Sequence, residues 1–455
     1  MSIPRMRLNG LRQNTVGHTA MGLWRHPDSR AHEYRTVRHW VETAQILECG
    51  GFDSLFVADA LGPLEVYQGR VDAALRDGIQ TPTGNPLLVI PAMAAATSRL
   101  GFAVTVSTTY EQPYALARTM TTLDHLTDGR IGWNVVTSAL DSAARNLGLD
   151  RQIPHDERYL MADEFMDVVY KLWEGSWEDD AVVRDAVAGI FADPARVHPI
   201  EHRGKYFSVP GIALSEPSVQ RTPVIFQAGS SPSGSAFAGK HAEGVFVSTY
   251  KAEMARDLSR RFRAQAKAQG RDPHDLKIFA IATVVTGATD EAARERLADL
   301  QSYTSLEGSL ARWSALLHID LSGLDPDTPL AHSETEGIRG LVDVFTTMDP
   351  DRTWTPRTLA EFVGVGGGGP LFVGSPGRVA DEMEAWMETA EIDGFNLADP
   401  IPPTGHREFV DLVVPELRRR GRVWDEYEGD TLREYFRGKG SPRVADTHPA
   451  SAYRR

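Results

Sequence analysis

The sequence predicts an α/β fold, a (β/α)8 TIM barrel with insertions. Three observations carry this expectation. Eight short β-rich runs recur from near the N-terminus to about Pro400, amphipathic helical patterns separate them, and polar residues collect where several of the runs end. A length of 455 residues does not decide the number of domains, because a single barrel with insertions reaches this size. The chain is therefore read as one barrel domain over 1–455, with insertions at about 176–222 and 300–372 and a flexible tail at about 441–455.

The first run, MRLNGLR from Met6, leads into HTAMGLWRHP, which sets His18, Trp24 and Arg25 after a strand. The second, FDSLFVAD from Phe52, contains Phe56 and ends on Asp59 after four apolar residues in five. A carboxylate there lies on the face where barrels of this kind build their active sites, although it can also cap the next segment. LGFAVTVST from Leu100 carries Thr105, and RIGWNVVTS from Arg130 carries Trp133, Asn134, Thr137 and Ser138. A parallel strand covered on both faces is nearly all apolar, and an unpaired buried amide costs roughly 1–3 kcal/mol. A capping role accounts for Thr137 or Ser138 but not for Asn134. In PHDERYLMADEFMDVVYKLW, the residues Ala162, Phe165, Met166, Val169, Leu172 and Trp173 form the core stripe of a helix. His155 and Tyr159 fall four apart in its first turn, as a generic cap or as two donors to an anion.

Residues 176–222 read as strands and turns. The fifth run, PVIFQAG from Pro223, precedes GSSPSG at 229–234, where a helix opens. That pattern is either a plain turn or a phosphate cradle with Ser230 and Ser231 at the positive helix end. GVFVST from Gly244 brings Phe246, KIFAIATVV from Lys277 follows, and DGFNLAD from Asp393 is the eighth run. The second insertion ends in the glycine run VGVGGGGP.

Composition excludes several classes. With 48 Lys and Arg against 62 Asp and Glu the formal charge is −14, so neither nucleic acid nor an anionic membrane is an expected partner. Cys49 is the single cysteine, which rules out an intramolecular disulfide or a cysteine metal cage. No apolar run reaches the roughly 18 residues of a membrane span, and MSIPRMRLNG lacks a signal-peptide core, so a cytoplasmic location is expected. No metal is expected either. Three motifs fail on context. Gly364, Gly366 and Gly369 spell a dinucleotide fingerprint but follow a helical pattern and run into Pro370. Gly234, Gly239 and Lys240 have P-loop spacing, yet His241 replaces the magnesium-ligating hydroxyl. HPIEH at 198–202 has a zinc-peptidase spacing broken by Pro199.

Taken together, HTAMGLWRHP, FDSLFVAD, TTYEQPYALAR, GRIGWNVVTS, HDERYLMADEF, LWEGSWEDDA, PVIFQAGSSPSG and DTLREYF resemble the bacterial-luciferase-like flavin monooxygenases. Within them, the resemblance is to the group of nitrilotriacetate, EDTA, pristinamycin and dibenzothiophene-sulfone monooxygenases. The resemblance runs over nearly the whole chain. It implies FMN at the strand C-termini, with contacts from Asp59, Thr105, Asn134, His155, Tyr159, Ser230 and Ser231. His155 and Asn134 are then the polar groups expected near the reacting edge, and His18, Trp24, Phe56 and Phe246 are expected to face substrate.

The implied reaction takes reduced FMN from a separate NAD(P)H:flavin reductase, with O2 as co-substrate, and inserts one oxygen atom into an organic compound. A homo-oligomer, dimer or tetramer, is expected. The motifs assigned to the mouth offer Trp24, Arg25, Phe56, Trp133 and Phe246 rather than converging cations, so an apolar or aromatic sulfur- or halogen-bearing xenobiotic is the expected substrate. Alternatives are a deazaflavin-dependent dehydrogenase of the same superfamily, a non-catalytic flavin-binding barrel, and a metal-dependent barrel hydrolase. The chain departs from the family where Ser218, Val219, Gln220 and Arg221 replace a frequent Ser-Pro-Gln-Gly, in a stretch expected to border the substrate.

Overall fold

The structure is a computed structural model that describes residues 5–330 and 352–455. Its strands are β1 (Arg7–Gln13), β2 (Ser54–Ala58), β3 (Gly101–Ser107), β4 (Ile131–Val136), β5 (Val182–Asp185), β6 (Ile190–Ala192), β7 (His202–Arg203), β8 (Ser208–Val209), β9 (Val224–Gln227), β10 (Gly244–Val247), β11 (Lys277–Thr286), β12 (Leu371–Gly374) and β13 (Gly394–Ala398). Eight of them close a parallel barrel in the order β1-β2-β3-β4-β9-β10-β11-β13, and β13 returns to β1 through Leu8↔Phe395 and Gly10↔Leu397. These eight strands are the eight runs read from the sequence. β12 adds to the far half of β11, pairing Thr283↔Leu371 through Thr286↔Gly374.

Alternation along the strands sorts the side chains. Leu11, Phe56, Ala103, Val224, Phe226, Phe246 and Phe279 point into the barrel, where Leu432 and Phe436 from the helix Leu432–Arg437 close the lower end. Gly132 makes room for this closure: a Cβ there would come within 2.7 Å of Phe226 and 3.1 Å of Leu432. Trp133, one residue on, points outward against Phe165 and Trp173 at 5.8 and 6.2 Å between ring centroids. Its expected place at the mouth is thus corrected, because a one-residue step along a strand reverses the face. The same lower end holds a buried ion pair, Arg433 Nε to Glu243 Oε2 at 2.7 Å. Burial pushes the Glu243 pKa up, but the Arg433 charge and hydrogen bonds outweigh burial and bring it down to about 2.

Residues 176–222 contain two antiparallel hairpins, β5–β6 and β7–β8. The departure at Ser218–Arg221 lies at the lower end, away from the C-terminal ends of the strands. Gln220 donates to Asp124 Oδ1 at 2.6 Å and to the Ile131 carbonyl at 2.9 Å, and Arg221 donates to the Trp177 carbonyl at 2.7 Å. Of the second expected insertion, 331–351 lies outside the described residues. The tail expected to be flexible is packed: His448 is 2% exposed and pairs with the His241 carbonyl at 2.9 Å, while Tyr453 bonds Asp167. Val444 and Ala450 are buried in the main core, but they are single apolar residues in a polar stretch, so no apolar periodicity announced them. Among the described residues, no helix is long and apolar enough to cross a membrane.

Candidate active site

The C-terminal ends of β2, β4 and β9 open onto a cavity of about 500 Å³ lined by Asp59, Leu61, Thr137, Leu140, His155, Arg158, Tyr159, Gln227, Gly229 and Leu316, among others. This size suits a cofactor or small-molecule site, and most of its wall is apolar. A larger hollow of about 770 Å³ lies around Tyr250, Phe362 and Trp386.

One end of the cavity gathers groups able to donate hydrogen bonds to an anion. The helix Pro232–His241 begins there, and its N-cap Ser231 accepts the Gly234 N–H at 3.0 Å. His155 opens the helix His155–Tyr170 beside it, with Nε2 3.3 Å from Ser231 Oγ and Nδ1 2.8 Å from Asp156 Oδ1. Among the described residues, the backbone N–H groups of Ser230 and Ser231 have no hydrogen-bond acceptor. Gly229 keeps the cradle open: a Cβ there would overlap the Tyr159 hydroxyl and the Gln227 amide. Burial raises the Tyr159 pKa, opposed by hydrogen bonds to Ser231 and Thr137 and by the charge of Arg158, so its hydroxyl remains a proton donor.

Beneath the opening, Asn134 donates Nδ2–H to Thr105 Oγ1 at 3.0 Å. Its Oδ1 is buried without a partner, as is Gln227 Oε1. Orphaned buried acceptors of this kind are costly unless a ligand completes them. Asp59 follows β2 at the rim, where burial raises its pKa to about 6 against the Ala60 N–H that lowers it.

The structure therefore gathers Asp59, His155, Tyr159 and Ser231 around the opening and sets Thr105 and Asn134 inside the barrel below it. It separates the two residues read as catalytic, since His155 stands at the anion end and Asn134 within the barrel. Ser230 is exposed in the turn itself. His18 and Trp24 share a narrow recess of about 20 Å³ with Gln13 and Arg12, beside the ends of β1 and β13. Phe56 and Phe246 do not line the cavity; their ring centroids are 4.4 Å apart inside the barrel. Sequence reasoning missed Arg158, Gln227 and Leu316. Arg158 was hidden in the helical run between His155 and Tyr159, and Gln227 was visible as an amide in a buried strand.

The near-motifs resolve into structural parts. His198 pairs with Glu178 and His202 with Glu164, two different carboxylates. Lys240 pairs with Asp163 at 2.7 Å. The glycine run starts as the C-cap of the helix Pro356–Val363 and leads into β12.

Comparison with known proteins agrees with this architecture. Residues 19–394 match the luciferase-like monooxygenase family. The dimethyl-sulfide monooxygenase of Hyphomicrobium sulfonivorans is 49% identical over 99% of this chain and 94% of its own, and the long-chain alkane monooxygenase of Geobacillus thermodenitrificans is 46% identical over 99% and 98%. Nitrilotriacetate monooxygenase component A of Aminobacter aminovorans is 34% identical over 94% and 96%. The crystal structure of DmoA from Hyphomicrobium sulfonivorans superposes with a TM-score of 0.94 at 49% identity over 99% of this chain and 96% of that one. A riboflavin lyase crystallised with modified FMN and riboflavin superposes with a TM-score of 0.89 at 38% identity over 99% and 100%. The chain belongs to the luciferase-like monooxygenase family and is an oxidoreductase of that kind.

Proposed function

We propose that the protein is the oxygenase of a two-component system, using reduced FMN from a separate flavin reductase and O2 to oxygenate a small, mainly apolar organic compound, with sulfur compounds favoured. The observation that carries this reading is the convergence of His155, Tyr159 and Ser231 on one end of a mainly apolar cavity, with Gln227 Oε1 unpaired in its wall and Asn134 Oδ1 unpaired in the barrel below. A phosphate suits the helix N-terminus, and a heteroaromatic ring rich in N–H and C=O edges suits the two amides. The riboflavin lyase, crystallised with modified FMN, supports the cofactor. The dimethyl-sulfide monooxygenase supports a sulfur substrate, and the designation of the nitrilotriacetate enzyme as component A supports a partner reductase.

When bound, reduced FMN supplies the electrons that activate O2. In this reading Ser231 and Tyr159 donate hydrogen bonds to the phosphate. His155, whose Nδ1 pairs with Asp156, faces the phosphate through Nε2. Asn134 and Gln227 accept from the ring, and Leu61, Leu140 and Leu316 keep water from the reacting atoms. Oxygen uptake tests the proposal. Reduced FMN delivered by a reductase, with thioethers, alkanes and aromatic sulfones offered in turn, should give substrate-dependent uptake and a product carrying one 18O atom from 18O2. Uptake that yields only hydrogen peroxide with every compound would count against it.

A further inference from the structure

One guanidinium at the mouth lacks a counter-charge. Arg312 lies on the helix Leu306–Leu317, one turn before Leu316 and on the same face, and Leu316 lines the cavity. The helix is fixed in place by its own contacts. Ser305 caps it and bonds Asp77, Arg76 pairs with Glu307, and Leu310 and Ala311 are buried. Among the described residues, no carboxylate, carbonyl or hydroxyl takes a hydrogen bond or ion pair from Arg312. The other arginines near the mouth are supplied: Arg12 by Asp399 at 3.8 Å, Arg25 by the Gly22 carbonyl at 3.1 Å, and Arg158 by the Ile153 carbonyl at 2.6 Å.

Burial lowers the Arg312 pKa to about 10, so it stays charged at neutral pH, and its charge reaches His18 and Tyr250, which follow β1 and β10. His18 Nδ1 is itself buried without a partner. A half-buried cation without a partner is costly, and an anionic ligand offsets the cost.

We propose that Arg312 binds the anionic group of the substrate, an organic acid whose apolar body lies against Leu61, Leu140 and Leu316. The shared chemistry is a carboxylate, sulfinate or sulfonate taken by the planar guanidinium fork. The inference rests on the mouth being the oxygenation site, and it amends the expectation of an uncharged substrate. That expectation missed Arg312 because the residue lies in an ordinary helical stretch, far in sequence from any motif of the mouth.

Binding of (phenylthio)acetate and of its neutral amide, titrated into the full chain with oxidised FMN present, tests the inference. The wild type should bind the acid roughly 10- to 100-fold tighter than the amide, the range of a charge-assisted hydrogen bond. Arg312→Gln should bring that ratio to about one, and Arg312→Lys should keep part of it, since a point charge replaces the fork. FMN affinity, read in the same titrations, should not change across the three proteins. Wild-type protein that binds FMN yet takes acid and amide equally would overturn the anion inference alone, as would Arg312→Gln protein that keeps the preference.

Discussion

Asn134 donates its Nδ2–H to Thr105 Oγ1 across 3.0 Å inside the barrel, and its own Oδ1 is buried with no partner. The pair fixes the amide's orientation, so one Asn134 N–H is structural and its carbonyl oxygen is free for a ligand.

Stability and flavin affinity should therefore respond oppositely at this position. Asn134→Leu removes an unsatisfied acceptor and leaves Thr105 a hydroxyl that can turn to a backbone carbonyl. The unliganded variant should unfold in urea within about 1 kcal/mol of wild type, while FMN binding weakens by roughly 1–3 kcal/mol. Fluorescence quenching of FMN gives the second number. A large loss of stability with intact FMN affinity would make Asn134 a purely structural residue.

Gly229→Ala probes the anion end. The new Cβ would overlap the Tyr159 hydroxyl and the Gln227 amide. Both are far ends of side chains, so the fold can accommodate the methyl by moving them, and the cradle loses its geometry. FMN affinity should fall at least about tenfold while the far-UV circular dichroism stays unchanged, since each 1.4 kcal/mol is a factor of ten in binding. Riboflavin, which lacks the phosphate, should lose less. Equal losses for FMN and riboflavin would place the phosphate elsewhere.

The barrel was legible in the sequence because its strands are short β-branched runs bounded by turns, and period-2 alternation survives even where a ligand site intrudes. Side-chain direction was the weaker reading. Trp133 sits next to Asn134, so a strict alternation would have sent it outward once Asn134 was assigned inward. Phe56 and Phe246 lie on the inner face, as expected of mouth residues, but too deep for the cavity, because depth depends on barrel closure and not on any local pattern. Ser218–Arg221 and the tail were misjudged for a related reason: both are held by long-range polar contacts to Asp124, Trp177, His241 and Asp167, partners that no window of sequence displays.

Asp59 gives a pH signature. Its pKa is raised by burial from 3.8 to about 6, so between those values the folded state binds more protons than the unfolded state. Stability contributed by this group is therefore present below about pH 4 and lost as pH rises through about 6, by up to roughly 3 kcal/mol at 1.36 kcal/mol per unit. Comparing wild type with Asp59→Asn isolates it from other titrations. In urea unfolding of the flavin-free protein, Asp59→Asn should gain stability relative to wild type between pH 4.5 and 7.5. A wild-type-minus-variant difference that does not vary with pH would show that Asp59 ionises freely in the fold.

The source of electrons follows from the glycine run. The glycine fingerprint of nicotinamide dinucleotide sites binds the pyrophosphate in a turn between a strand and a helix. Here Gly364 ends the helix Pro356–Val363, Gly366 packs on Thr283 and Gly369 on the Ile281 carbonyl, and the chain then enters β12. A Cβ at Gly366 or Gly369 would overlap those neighbours, so the glycines serve close packing of the loop on β11 and leave no room for a pyrophosphate. The other candidate turn, Gly229–Ser231, is the one assigned to the FMN phosphate. Purified protein given NADH, oxidised FMN and substrate should therefore be nearly inert, and adding a flavin reductase, or dithionite-reduced FMN followed by oxygen, should start product formation. Rate against reductase concentration should saturate once free reduced FMN exceeds its dissociation constant. The same plateau should appear with an unrelated reductase, because the carrier is the diffusing flavin. Rapid NADH oxidation coupled to product with no reductase present would show that the chain holds a nicotinamide site of its own.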